Sequence, residues 1–281
     1  MVSRRVLLAA PAAVLRGQKS MFSNAQAYER FMGRWSRPVA PLLVDFAAVP
    51  DSGRLLDAGS GTGSLAFAIA ERRPGCRVVG IDPSSEYIAY ARSVNRFPDR
   101  VSFETGDAQK LVFDNAAFAA SVSLLVFNFI PDPAKALGEL RRVTESGGGI
   151  AAAVWDYGER MVMLRAFWDA AVSMDAAAEK LDEKHMPLCR EGQLSRLWTA
   201  GGLEKVYEQP LEITTAFGSF QDYWDAFLLG QGPAGAYVRK LPGDRVQALR
   251  SAVMRRLSVT AESAAFSLPA RVWAVRGTAP R

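Results

Sequence analysis

From Arg54 onward the apolar positions fall into short runs separated by longer amphipathic stretches. Arg54 to Asp57 (RLLD), Cys76 to Ile81 (CRVVGI), Val101 to Glu104, Phe118 to Leu125 and Ile150 to Trp155 (IAAAVW) are brief and nearly continuous in apolar character. That is the pattern of strands buried on both faces. Between them lie segments with helical spacing and helical punctuation. Leu65 to Arg73 is closed by Pro74 and Gly75, a helix capped by Ser84 or Ser85 runs to about Asn95, and Pro133 opens another that runs to about Thr144. The run Gly147 to Gly149 is expected to break that helix ahead of the fifth strand. Strands alternating with helices of this length predict a parallel sheet with helices on both faces.

Beyond Trp155 the rhythm changes. Met161 to Met174 and Gln193 to Ala200 read as helices, and Gly201-Gly202 ends the second before a strand at Lys205 to Thr214. Residues 219 to 260 read as helical, with a GQGPAG loop at Gly230 to Gly235, and Arg271 to Val275 closes the chain as a strand. No internal repeat or linker interrupts this, so residues 21–281 read as one α/β domain with helical insertions at about 158–200 and 218–262. Met161, Met163, Phe167, Trp168, Trp224 and Phe227 are a surplus of large apolar groups in those insertions. They serve either as core or as a lid over an apolar pocket.

Composition narrows the class. With 281 residues, 49% hydrophobic and 22% charged, the chain can bury a substantial core, and no apolar run approaches the roughly 18 residues of a membrane span. Cys76 and Cys189 form no CxxC pair, which argues against a disulfide framework or a cysteine metal site and for a reducing compartment. The net charge of +5 suggests nucleic acid only until it is located: Arg4, Arg5, Arg16 and Lys19 supply four of the five, with no acid in residues 1–20. The pairs Arg141-Arg142 and Arg255-Arg256 then read as solvated helix faces, and no nucleic-acid partner is expected.

The chemistry concentrates in LLDAGSGTGS, Leu55 to Ser64, between a strand and a helix. Glycines there allow a tight turn and close approach to a ligand, and the helix N-terminus offers unpaired N–H groups. Asp82 ends the second strand 23 residues after Gly59, where nucleoside-binding α/β folds place a carboxylate for the ribose hydroxyls. Asp107, after the third strand, reaches the same sheet edge and can accept from an exocyclic amine. A nicotinamide fingerprint wants GxGxxG, whereas Gly59, Gly61 and Gly63 give GxGxG with Ser64 at the expected third position.

DAGSGTG at Asp57 to Gly63, GIDPS at Gly80 to Ser84, GDAQ at Gly106 to Gln109 and FAASVSLLVFNFIPDPAKAL at Phe118 to Leu137 resemble, in order, the motifs of class I S-adenosylmethionine-dependent methyltransferases. The resemblance covers about residues 25 to 156. YERFMGRWSRPVAPLL, Tyr28 to Leu43, is similar to bacterial proteins grouped with the ubiquinone/menaquinone C-methyltransferases. The resemblance implies a Rossmann-like seven-strand sheet, mostly parallel with its last strand antiparallel, and S-adenosylmethionine as cofactor. It implies that Gly59, Gly61 and Thr62 line the methionine and ribose portions, with Asp57 bracing the loop. Asp82 takes the ribose hydroxyls and Pro83 lies against the adenine. Asp107 and Ala108 hold the adenine edge, Leu124 touches the cofactor by backbone, and Tyr28 covers it. Ser146-Gly147-Gly148-Gly149 stands where the family usually carries Pro-Gly-Gly, and no quinone-methylating signature follows Trp155.

Asn128 and Trp155 to Tyr157, just past the fourth and fifth strands, are candidate substrate contacts by position. His185, in EKHMPLC, is the single histidine and lacks an evident carboxylate partner, which weakens it as a base. The acceptor expected is a small apolar or aromatic molecule. The rivals are a non-catalytic cofactor-binding regulator and an NAD(P)-dependent oxidoreductase. The leader MVSRRVLLAAPAAVLRGQKS reads as an extension ahead of a start at Met21, in preference to a twin-arginine signal or a transit peptide, because the cofactor is cytosolic. A cytoplasmic location follows.

Overall fold

The computed structural model describes residues 25–281, so the expectations for the leader and for Met21 lie outside the described residues. A helical turn, Ala25–Tyr28, and a π-helical turn, Glu29–Gly33, lead into helix α1, Arg34–Phe46. There follow β1 (Ser52–Ala58), α2 (Ser64–Arg72), β2 (Gly75–Asp82), α3 (Ser85–Ser93), β3 (Val101–Thr105), β4 (Phe118–Leu124), α4 (Pro133–Val143) and β5 (Thr144–Trp155). Then come α5 (Val162–Met174), α6 (Gln193–Ala200), β6 (Glu204–Phe217), α7 (Phe220–Leu228), α8 (Gly232–Val238), α9 (Gly243–Arg256) and β7 (Phe266–Thr278).

The seven strands form one sheet in the order β3-β2-β1-β4-β5-β7-β6. β1 to β5 pair in parallel, and β7 runs antiparallel to both β5 and β6. The central strands are apolar throughout because helices cover both faces. Three of their polar side chains are satisfied internally: the Ser121 and Thr144 hydroxyls lie 2.7 Å apart, and Ser123 donates to the Ala58 carbonyl at 2.7 Å. Three of the helices start at side-chain caps, at Ser84, Asp132 and Ser219. Ser84 accepts from the Tyr87 N–H at 3.3 Å, and Asp132 accepts from the Lys135 N–H at 2.9 Å with Pro133 in the first turn.

Two expectations are corrected. The glycine run does not separate α4 from the fifth strand but lies inside β5, which begins at Thr144. Pairing with β4 shifts there, from Phe118↔Thr144 to Ala120↔Gly149, and a Cβ on Gly148 would stand 2.6 Å from the Ala119 carbonyl oxygen. The glycines therefore build a bulge that lets the strand continue. The GQGPAG segment is a loop only at its start, because α8 begins at Gly232 with Pro233 in its first turn.

The insertion helices carry much of the aromatic core. Met161, Met163, Phe167, Trp168, Trp224 and Phe227 are all buried, and the Phe167 and Phe227 rings stack with centroids 4.6 Å apart. Phe31 meets Phe227 edge-on at 6.0 Å, and Arg34 pairs with Asp222 through contacts of 3.0 and 2.7 Å. The entry segment and the insertions thus pack as one layer.

Candidate functional site

A cleft of about 900 Å³ opens at the carboxyl edge of the sheet, and its walls come from both sides of the point where the strand order reverses between β1 and β4. Eight of the residues singled out from sequence line it: Tyr28, Gly59, Thr62, Asp82, Pro83, Asp107, Ala108 and Leu124.

The glycine loop is shaped as much by what stands over it as by its turn. Gly59 has φ +78° and donates its N–H to the Ile81 carbonyl at 2.8 Å; a Cβ there would lie 2.5 Å from the Val126 methyls. Gly61, at φ +51°, donates its N–H to one oxygen of Asp82 at 3.0 Å, while the other oxygen accepts from the Ser84 N–H at 2.8 Å. Two backbone donors therefore aim the carboxylate and leave further lone pairs toward the cleft. Burial pushes the Asp82 carboxyl up to about 6 in spite of these bonds.

Asp57 lies beneath the loop rather than on the cleft wall. It is fully buried, neither oxygen has a hydrogen bond of normal geometry, and burial raises its carboxyl to about 8, opposed by the nearby Ala66 N–H and reinforced by Asp82. Gly61 likewise supports the wall through Asp82. Asn128 and Trp155 are buried outside the cleft lining. Trp155 packs edge-on against Trp35 at 6.5 Å, and neither its indole N–H nor the Asn128 amide nitrogen has a hydrogen-bond partner among the described residues.

At the other end of the cleft, Asp107 accepts from the Gln109 N–H at 2.8 Å and its amide at 3.2 Å, and the Gln109 amide oxygen accepts from the Asp132 N–H at 3.1 Å. Leu125, Val126, Phe129, Ile130 and Pro131 continue an apolar wall from β4. Leu125 has φ +64°, a conformation costly for a leucine, and its N–H is held by the Ala153 carbonyl at 2.7 Å.

Sequence reasoning missed the network that ties the entry segment to the loop. Thr62 donates to Glu29, Glu29 pairs with Arg37 at 3.3 Å, and the hydroxyls of Ser36 and Ser64 lie 3.3 Å apart. Tyr28 tilts against Tyr87 with ring centroids 5.2 Å apart. The one available signal was the clustering of Tyr28 and Glu29 just ahead of α1 with Arg37 in its first turns. His185 is exposed and does have a carboxylate partner, Glu179, at 3.0 Å, six residues away; it takes no part in the cleft lining. Among the described residues no cluster of histidine, cysteine and acidic side chains could hold a metal ion, and no helix is long and apolar enough to cross a membrane.

Comparison with known proteins adds a family. A model of the methyltransferase domain matches residues 51–202, a little over half of the chain. A demethylmenaquinone methyltransferase of Thermus thermophilus is 40% identical over 116 residues, which are 41% of this chain and 51% of that protein. The chain spans about half the length of the curated relatives it matches. Among solved structures, a methyltransferase of Haloferax volcanii in complex with the Trm112 activator superposes with TM-score 0.58 at 20% identity, covering 94% of this chain and 98% of that one. A phosphoethanolamine N-methyltransferase of Haemonchus contortus with bound S-adenosylhomocysteine gives 0.56 at 18% identity, covering 92% and 57%. At such identities these likenesses establish the fold.

Proposed function

Since the chain belongs to the methyltransferase-domain family, we propose that it transfers a methyl group from S-adenosylmethionine to a small apolar or aromatic acceptor. The observation that carries this reading is that one cleft joins the glycine loop, the aimed carboxylate of Asp82, and Asp107 with Ala108. Its volume lies in the range of pockets that enclose small molecules, roughly 300–1,000 Å³.

The residues fit the cofactor. Asp82 keeps acceptor capacity after its two backbone bonds, which suits a pair of ribose hydroxyls. Pro83 and the Leu125 to Pro131 wall suit the faces of a purine, and Asp107 beside Ala108 suits its amino edge. Gly59 lets the chain pass beneath Val126, and Thr62 stands by the methionine end. The cofactor, once bound, supplies an electrophilic methyl group, so the chain's own work is to align the acceptor and exclude water. Tyr28 and Ser36 contribute a roof from the entry segment, and the insertion helices behind them make it rigid.

The reading extends to a single domain whose insertions act as a lid, a small-molecule partner and a cytoplasmic setting. Quinols are the first acceptors to try, given the Thermus thermophilus relative. Incubation with methyl-labelled S-adenosylmethionine and a panel of dihydroxynaphthalenes, catechols and phenols should move label into at least one of them. Cofactor binding without transfer to any acceptor in the panel would favour the non-catalytic regulator.

A further inference from the structure

A second cavity, of about 660 Å³, lies between α1, α2 and α3 and meets the cleft at Thr62 and Ser64, which line both. The seam between them is polar. The Thr62 hydroxyl donates to Glu29, and the Ser36 and Ser64 hydroxyls lie 3.3 Å apart. Glu29 is seated closely: its side chain is only 13% exposed, and a Cβ on Gly33 would stand 2.5 Å from its Oε2. That same oxygen lies 3.3 Å from a terminal nitrogen of Arg37, whose Nε donates to the Gly33 carbonyl at 3.1 Å. Two other arginines reach this cavity, and each is held more closely by its own acid, Arg72 by Asp45 at 3.0 Å and Arg96 by Glu71 at 2.8 Å. The Glu29 to Arg37 contact is longer than the roughly 2.7–2.9 Å of a strong charge-assisted bond, and Arg37 is 62% exposed. Two opposite charges therefore stand side by side at the seam without being firmly committed to each other.

An ion pair that only fastened the entry segment would be better served by a short, buried bond, such as Arg165 makes to Asp182 at 2.6 Å. Resting on the reading of the cleft as an S-adenosylmethionine site, we infer that Glu29 and Arg37 recognise the amino-acid end of the cofactor, Glu29 taking its ammonium and Arg37 its carboxylate. An α-amino acid carries these two charges on one carbon, so it can open the pair and satisfy both members, leaving no charge unpartnered. Opening is inexpensive because an exposed ion pair is weak in water. Thr62 is the joint, since it faces the cleft on one side and holds Glu29 on the other. The entry segment thereby supplies specificity as well as a roof. Adenosine thioethers that lack the amino acid fill the rest of the cleft and gain nothing from the pair.

The test titrates the full chain by calorimetry at neutral pH with three ligands: S-adenosylhomocysteine, its decarboxylated form S-adenosyl-3-thiopropylamine, which keeps the ammonium alone, and 5′-methylthioadenosine, which has neither charge. Arg37→Gln should weaken S-adenosylhomocysteine by about 10–100-fold, yet bind the decarboxylated compound no more weakly than the parent does. Glu29→Gln, which can still accept from Thr62, should weaken the decarboxylated compound over the same range. Both variants should bind 5′-methylthioadenosine as the parent does, which also reports that the glycine loop is intact. Weakening of all three ligands alike by either variant, or of none, would overturn the inference. So would a parent that binds S-adenosylhomocysteine no more tightly than 5′-methylthioadenosine. Failure of S-adenosylhomocysteine to bind the parent at all would instead overturn the functional reading beneath it.

Discussion

The two buried carboxyls next to the glycine loop, Asp82 on the cleft wall and Asp57 beneath the loop, make different predictions because only one is aimed. Asp82 is held by the Gly61 and Ser84 N–H groups with acceptor capacity to spare. Asp82→Ala should weaken S-adenosylmethionine binding by about 2–4 kcal/mol, and calorimetry showing a change below about 0.5 kcal/mol would mean the ribose lies elsewhere. Its carboxyl sits at about 6, and the ionised form is the better acceptor, so affinity should fall as pH drops below about 6. Asp82→Asn should flatten that profile. Asp57 has no such bonds and is raised to about 8 by burial. An acid raised in the folded state contributes its full stability below its unfolded value near ~4 and loses it as pH rises to about 8. Asp57→Asn carries no charge to bury, so denaturant melts at pH 5 and pH 9 should show the variant gaining on the parent by about 1–3 kcal/mol at the higher pH. A constant difference would contradict the buried, unaimed carboxyl.

At the scale of elements, the loop and the insertions each depend on a close approach. Gly59→Ala would force a Cβ to within 2.5 Å of Val126 at φ +78°. It should abolish measurable cofactor binding and lower stability by about 1–3 kcal/mol. Arg165→Ala would strand Asp182, which is fully buried, and should cost about 3–5 kcal/mol in denaturant unfolding. Most strands and helices were legible because Leu55 to Asp57 or Cys76 to Ile81 are apolar on both faces, and Ser84 and Pro133 mark helix starts by local chemistry. Gly147 to Gly149 misled because three glycines break a helix and also permit a bulge, and only the neighbouring strand decides which. Of the cleft, the glycines and acids were legible, since their spacing along the chain sets their spacing in space. Glu29, Ser36 and Tyr87 were not, because what they touch is fixed by how the entry segment and α1 pack against the glycine loop, α2 and α3. The partner of His185 was missed although it is only six residues away, because the short 3-10 turns that bring Glu179 to it leave no periodic signal.

For the whole molecule, the sheet order places its reversal between β1 and β4, and the cleft, the glycine loop, Asp82 and Asp107 gather there. Strands β6 and β7 complete the sheet on the far side of β5, and the insertions around them roof the entry segment through Phe31 with Phe227 and Arg34 with Asp222. The central claim is that this cleft is built for an adenosyl sulfur compound. The measurement that tests it most directly is calorimetric titration of the ligand-stripped protein with S-adenosylmethionine, S-adenosylhomocysteine and NADH in parallel. Saturable binding of the first two, weakened together by Asp82→Ala, with none for NADH, is the predicted result. Binding of NADH alone, or of none of the three, would contradict the account.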